Sequence, residues 1–140
     1  MPAVKKGVYL TLRGIEQIAE RLGWDVEWGT QEGNSGKTER YADFYKNSPA
    51  GEDFGFTVFY ENAADLVHEI QQYSLGFDVD EHIEMWIEAR NNGVGGVPST
   101  VELCKDAEAI DKMVADLAFA LIDVKEQLDR ERAKVCLSML

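Results

Sequence analysis

Residues 54–60 have the sequence FGFTVFY, in which a large apolar side chain occupies every second position. Successive side chains of a β-strand point to opposite faces of the sheet, so this alternation predicts a strand with one buried face. Two stretches upstream alternate in the same way: WDVEW at residues 24–28 and RYADFYK at residues 40–46. Loop-type sequences separate the three, with GNSG at residues 33–36 and NSPAG at residues 47–51. Together they predict a three-stranded antiparallel meander.

Helical patterns flank this meander on both sides. Upstream, Thr11 is a residue type favoured at helix N-caps, and apolar residues follow it at helical spacing as far as Leu22. Downstream, Asn62 has the spacing of a cap for a helix that ends at Gly76. A second short helix is predicted to begin at Asp80.

The longest predicted element is a C-terminal helix over residues 99–134. Its apolar residues are spaced alternately by four and three positions, a heptad pattern that no Gly or Pro interrupts. A three-stranded sheet is too small to cover the whole helix. The C-terminal half of the helix is therefore expected to protrude, to break or to mediate homodimerisation. The residues of the predicted dimer seam are Leu117, Leu121, Val124 and Leu128.

The order of these elements predicts an α+β fold in a single domain, residues 1–140. It consists of an N-terminal helix, a three-stranded antiparallel meander, two short helices and a long C-terminal amphipathic helix. Hydrophobic residues make up 45% of the chain, which is typical of a globular protein.

The formal net charge of -12 is concentrated in one third of the chain. Residues 43–89 contain eleven acidic residues and one basic residue, Lys46, and therefore have a net charge of -10. Residues 1–42 are neutral overall, and residues 90–140 have a net charge of -2. Such an acidic chain is unsuited to direct binding of nucleic acid or of the negative cytoplasmic face of a membrane, since both require basic residues. The acidic block has two interpretations: a solvated face that aids solubility, or a surface that binds a basic partner.

No motif for catalysis, metal binding or a cofactor is recognisable. The alternating Asp78, Asp80, His82 and Glu84 resemble part of a calcium loop, but Ile83 and Ala89 occupy the positions where that loop needs Gly and Glu. The two cysteines, Cys104 and Cys136, lack metal-ligand spacing and are expected to be reduced thiols of a cytoplasmic protein. We therefore predict a protein that is not an enzyme and uses no metal or cofactor.

Several segments resemble a known group of proteins. They are DFGF at residues 53–56, FDVDEHIEMWIEAR at residues 77–90, the glycine-containing connector that ends in VPS at residues 97–99, and EAID at residues 108–111. Over residues 53–122 the chain resembles small acidic proteins encoded on phages and conjugative elements of gut bacteria, mostly of unassigned function. Such elements often encode inhibitors of host defence, including anti-CRISPR and antirestriction proteins. The resemblance implies a bacterial host cytoplasm and brings no catalytic residues with it.

These observations lead to one functional prediction and one alternative. The prediction is an inhibitor whose acidic face occupies the basic nucleic-acid-binding surface of a host nuclease such as a CRISPR effector. Its predicted contacts are Asp65, Glu69, Asp78, Asp80, Glu81, Glu84 and Glu88, with Tyr41, Tyr45 and Phe59 as aromatic contacts. The alternative is a structural protein that homodimerises through the long helix.

Overall fold

The structure is a computed structural model that describes residues 9–49, 51–91 and 100–138. Its elements are α1 (Leu12–Arg21), β1 (Asp25–Glu32), β2 (Thr38–Asn47), β3 (Asp53–Tyr60), α2 (Ala63–Gly76), α3 (Val79–Asn91) and α4 (Thr100–Ser138). The three strands form one antiparallel sheet in the order β1-β2-β3. The predicted α+β architecture is therefore confirmed.

One face of the sheet forms the core with the helices. Alternate residues of β3 are buried, as its sequence predicts, and the ring of Phe56 stacks on Phe44 of β2 and on Tyr73 of α2. Helix α1 contacts β1, α2 contacts β3, and α4 packs on all three other helices. We call the buried side the inner face and the opposite side the outer sheet face.

The helix caps explain where the helices begin. The Thr11 hydroxyl accepts a hydrogen bond from the Gly14 amide at 3.0 Å, and the Asn62 side chain accepts one from the Asp65 amide at 2.9 Å, as predicted. Helix α3 begins at Val79, one residue before the predicted start, because the Asp78 carboxylate caps it by accepting from the Glu81 amide at 3.1 Å. The predicted first residue of the C-terminal helix, residue 99, lies outside the described residues.

The sheet extends further than the alternation predicts. Strand β1 continues to Glu32, and β2 begins at Thr38, which is paired with Glu32. Apart from the half-buried Gly29, the added positions are polar on both strands and exposed, so their strand conformation depends on backbone pairing and leaves no pattern in the sequence.

The long helix α4 has 39 residues, about 58 Å at 1.5 Å per residue. Its heptad positions from Leu103 to Leu121 are at most 3% exposed and face the rest of the chain. Leu117 and Leu121 were predicted to belong to a dimer seam. Both are 0% exposed and belong to the core of the single chain, so this part of the prediction is corrected. Val124 and Leu128 are half-buried, and their part in a dimer stays a prediction.

Candidate protein-binding surface

Helix α3 presents a row of carboxylates to solvent. Glu81, Glu84 and Glu88 are all exposed and recur at intervals of three and four residues, which places them on one side of the helix. Asp80 is exposed one turn before Glu84, and Met85, 59% exposed, lies among the glutamates. We call Asp80, Glu81, Glu84 and Glu88 the α3 row.

The first turn of α3 is fixed to the sheet by His82. Its Nε2 lies 3.0 Å from the Glu52 carboxylate, with both side chains less than 15% exposed. The imidazole ring also packs against Phe54 and Phe77, with ring centroids 6.2 and 5.8 Å apart. Glu52 belongs to the turn between β2 and β3, in which its amide donates to the Ser48 hydroxyl at 3.0 Å. The beginning of the α3 row is therefore anchored to the turn between β2 and β3 and to the start of β3.

A cleft of about 390 Å³ lies between the base of the α3 row and the start of β3. Four carboxylates and several aromatic rings line it, and we call it the acidic cleft. The lining carboxylates are those of Glu52, Asp53, Asp78 and Glu81, and the rings are those of Phe54, Tyr73, Phe77 and His82. Carboxylates above aromatic walls suit the side chain of a basic residue, whose charge the carboxylates and the ring faces both attract.

The seven acidic residues predicted as contacts do not form one patch. Asp65 and Glu69 line a different groove together with Arg40 and Lys37, so their surroundings are of mixed charge. The Asp65 carboxylate also accepts a hydrogen bond from the Glu61 amide at 2.9 Å, which completes the cap of α2. Asp65 is in the first turn of α2 and the acidic cleft adjoins its last, so about 16 Å of helix separate Asp65 from the cleft, and Glu69 lies one turn closer to it. The α3 row and Asp78 are thus the coherent part of the predicted site.

The three aromatic residues predicted as contacts lie on the outer sheet face. Tyr45 and Phe59 are each 43% exposed, and the half-buried Tyr41 makes an edge contact with Phe59 at 5.8 Å between ring centroids. The Tyr41 and Tyr45 rings lie over the backbone of Gly29 and Gly55, where a Cβ atom would come within 2.3 and 2.8 Å of them. Only glycine at these two positions lets the rings lie down across the neighbouring strand.

The same face carries acidic residues that were not among the predicted contacts. Asp25 and Glu27 of β1 and Asp43 of β2 point outward, and the strand register places Glu27 directly opposite Asp43. The Asp43 carboxylate accepts hydrogen bonds from the Thr57 hydroxyl and, at 3.3 Å, from the Tyr45 hydroxyl. Partial burial and then the Asp43 and Glu27 carboxylates raise the pKa of Tyr45.

Metal-ligating side chains do not cluster in the described part of the chain, whereas carboxylates and aromatic rings do. Within residues 9–49, 51–91 and 100–138, no three His, Cys, Asp or Glu side chains converge as a metal-ligand group. Cys104 is half-buried along α4 and Cys136 is exposed near its end; both are free thiols. Carboxylates, by contrast, are grouped with aromatic rings at the acidic cleft and on the outer sheet face.

Comparison with protein-family models, curated proteins and solved structures finds no significant match. None of the helices in the described part of the chain combines the length and the apolar character needed to cross a membrane. The physical properties of these surfaces are therefore the basis for a functional proposal.

Proposed function

We propose that the protein is a non-enzymatic inhibitor that binds a basic, nucleic-acid-binding surface of a protein partner through the α3 row. The observation that carries the proposal is the exposed, single-sided spacing of Glu81, Glu84 and Glu88 on a helix fixed to the sheet. Neither Lys nor Arg occurs in the sequence between residues 47 and 89, so the row has no basic neighbours along this segment.

The charge density of the row is close to that of a nucleic-acid strand. From Asp80 to Glu88 the helix rises about 12 Å, and four carboxylates lie along this distance. A strand of duplex DNA has about one phosphate per 3.4 Å of axis, or roughly four over the same length. A groove that is basic enough to hold DNA phosphates would therefore also attract the α3 row, and complementary charge would speed the encounter.

The acidic cleft extends this surface toward the sheet. Asp78 and Glu81 line the cleft together with Glu52 and Asp53, so the acidic surface continues beyond the N-terminal end of α3. Long basic side chains of the partner would reach into the cleft and contact its aromatic walls. A cleft that accepts single basic side chains supports a protein as the partner, because a protein surface carries such flexible side chains.

We propose the class of partner from the resemblance of residues 53–122 to proteins of phages and conjugative elements. Within that group, a protein that competes with nucleic acid for a basic groove would protect the element from a host nuclease, such as a CRISPR effector or a restriction enzyme. We propose this role in the bacterial cytoplasm; homodimerisation through Val124 and Leu128 is the alternative that the half-buried end of α4 leaves open.

Charge reversal of the row tests the proposal. A variant with Glu81→Lys, Glu84→Lys and Glu88→Lys is expected to fold, because all three side chains are exposed, and to lose capture of its partner from a bacterial lysate. The matched control reverses three exposed glutamates elsewhere, Glu20, Glu32 and Glu108, and should retain the partner. Equal capture by the row variant and the wild-type protein, measured by quantitative mass spectrometry, would refute the proposal.

A further inference from the structure

The acidic and basic residues of the strands are divided between the two faces of the sheet, and the outer sheet face carries only acidic ones. Thirteen strand positions point outward, and they include five acidic residues and no basic residue. They are every second residue from Asp25 to Gln31 on β1, from Glu39 to Asn47 on β2 and from Asp53 to Phe59 on β3. The basic residues of these strands, Arg40 and Lys46, have the opposite parity. Arg40 lies over the Tyr60 ring at 5.2 Å, and the Lys46 ammonium group donates to the Leu22 carbonyl oxygen at 2.6 Å.

One cross-strand pair on this face places two like charges opposite each other. Glu27 and Asp43 are direct cross-strand neighbours, whose Cβ atoms lie about 5 Å apart in such a pair, and like charges at this position are destabilising. A basic residue at either position would remove the repulsion. A cation supplied by a partner would remove it as well and would be bound by both carboxylates.

The aromatic ring of Tyr45, next to this pair, indicates which kind of cation would fit the site. The Tyr45 ring lies over Gly55, next to the Asp43 carboxylate that its hydroxyl group contacts, and it remains 43% exposed. A carboxylate has about four lone-pair sites, so the two hydrogen bonds to Asp43 leave acceptor capacity on that side chain. A flat ring beside the Asp43 carboxylate, with Glu27 across the strand pair, matches the guanidinium group, which stacks on aromatic rings and binds carboxylates with paired hydrogen bonds.

We propose that the outer sheet face is a second docking surface, which binds an arginine-bearing segment of a protein partner at Glu27, Asp43 and Tyr45. The guanidinium group hydrogen-bonds to the two carboxylates and stacks on the Tyr45 ring. Lysine binds less well, because its ammonium group is a compact, strongly hydrated charge that cannot make paired planar contacts. Asp53 and Gly55 border both this face and the acidic cleft, so one partner can contact both surfaces.

The test uses two synthetic peptides of equal charge, a Gly/Ser peptide with four arginines and its counterpart with four lysines. Their binding is followed by amide chemical shifts of the full-length protein. We expect the arginine peptide to shift the amides of Glu27, Asp43 and Tyr45 and to bind about fivefold more tightly than the lysine peptide. Equal affinity for the two peptides, or shifts confined to the α3 row, would overturn the proposal.

Shape-preserving variants check that the carboxylates are responsible. The double substitution Glu27→Gln and Asp43→Asn retains an acceptor for the Thr57 hydroxyl and should weaken binding of the arginine peptide by more than about tenfold, because two charge-assisted hydrogen bonds become neutral ones. The control Glu20→Gln and Glu108→Gln changes the net charge equally and should leave the affinity within about twofold. If the two double variants weaken binding equally, the attraction comes from the overall charge and the proposed surface is wrong.

This inference goes beyond the proposed function and can fail separately from it. The α3 row variant should bind the arginine peptide at the outer sheet face as the wild-type protein does. Loss of partner capture by the row variant together with unselective peptide binding would leave the proposed function standing and refute the second surface.

Discussion

Replacing Glu27 with lysine should make the protein more stable while abolishing the proposed arginine contact. Glu27 is exposed on β1 directly opposite Asp43, and Asp25 lies two residues away on the same face. The substitution therefore converts a repulsive cross-strand pair into an attractive one without disturbing the core. A residue type that lowers the stability of the folded protein is a candidate for having been retained because it binds a partner.

The expected size of the effect follows from the separation of the charges. Two unit charges at the spacing typical of a direct cross-strand pair, taken as about 6 Å between charged groups, interact by about 0.7 kcal/mol in water, and physiological salt reduces this by roughly half. Reversing the sign at Glu27 counts this energy twice, so the free energy of unfolding should rise by about 0.7 kcal/mol, within the range of measured cross-strand pairs. For a chain of this length, that corresponds to an increase in Tm of about 3 °C.

Thermal unfolding at low and high salt measures the effect. The increase in Tm should be largest near 50 mM salt and nearly vanish at 1 M, where the Debye length is about 3 Å. The control Glu27→Gln removes the repulsion without adding attraction and should give about half the increase. A Tm that is unchanged or lower in the lysine variant at low salt would refute the reasoning about the Glu27–Asp43 pair.

Four further predictions concern the scaffold. Leu117→Ala should lower the free energy of unfolding by about 2–5 kcal/mol, independently of protein concentration in urea titrations, because Leu117 is in the core of the single chain; a dependence on concentration would support the dimer seam instead. Gly51→Ala should cost about 1–2 kcal/mol in the same assay, since its φ of +90° is strained for any residue with a Cβ atom; an unchanged urea midpoint would contradict this. Asn62→Ala should cost about 1 kcal/mol through loss of the α2 cap, and Asn62→Asp should cost little; equal losses in the two variants would contradict the capping role. Hydrogen bonds from Lys125 and then Arg132 lower the pKa of Asp129, so their contribution to stability is present above the ordinary carboxyl range and is lost as the pH falls through the lowered pKa. An NMR titration of Asp129 should show this pKa rise in the Lys125→Met variant, and an unchanged value would contradict the assignment.

The sequence pattern was sufficient for the fold because periodicity and caps agree throughout. The alternation in residues 54–60, the caps at Thr11 and Asn62 and the heptad pattern after Leu103 each appear in the structure as predicted. The pattern could not tell a core seam from a dimer seam, because both need the same apolar spacing. Which one forms depends on whether another part of the chain covers the helix, and at Leu117 the chain's own core does.

The candidate site was only partly predictable, because counting charge along the chain ignores the register of the strands. Asp25 and Glu27 belong to a neutral segment of the sequence, yet the hairpin places them beside Asp43 on one face. Conversely, Asp65 lies within the acidic block but is separated from the α3 row by the length of α2. The alternation of acidic with apolar residues in β1 was the available signal, and it becomes informative only when combined with the pairing partner of each residue.

Competition with nucleic acid tests the central claim, that the α3 row occupies a nucleic-acid-binding surface. The partner captured by the wild-type protein is challenged with increasing duplex DNA, and the fraction released is measured. The account predicts release by DNA at moderate salt and little partner captured by the variant with Glu81, Glu84 and Glu88 reversed to Lys. A partner that binds saturating DNA while it remains attached to the protein would contradict the claim.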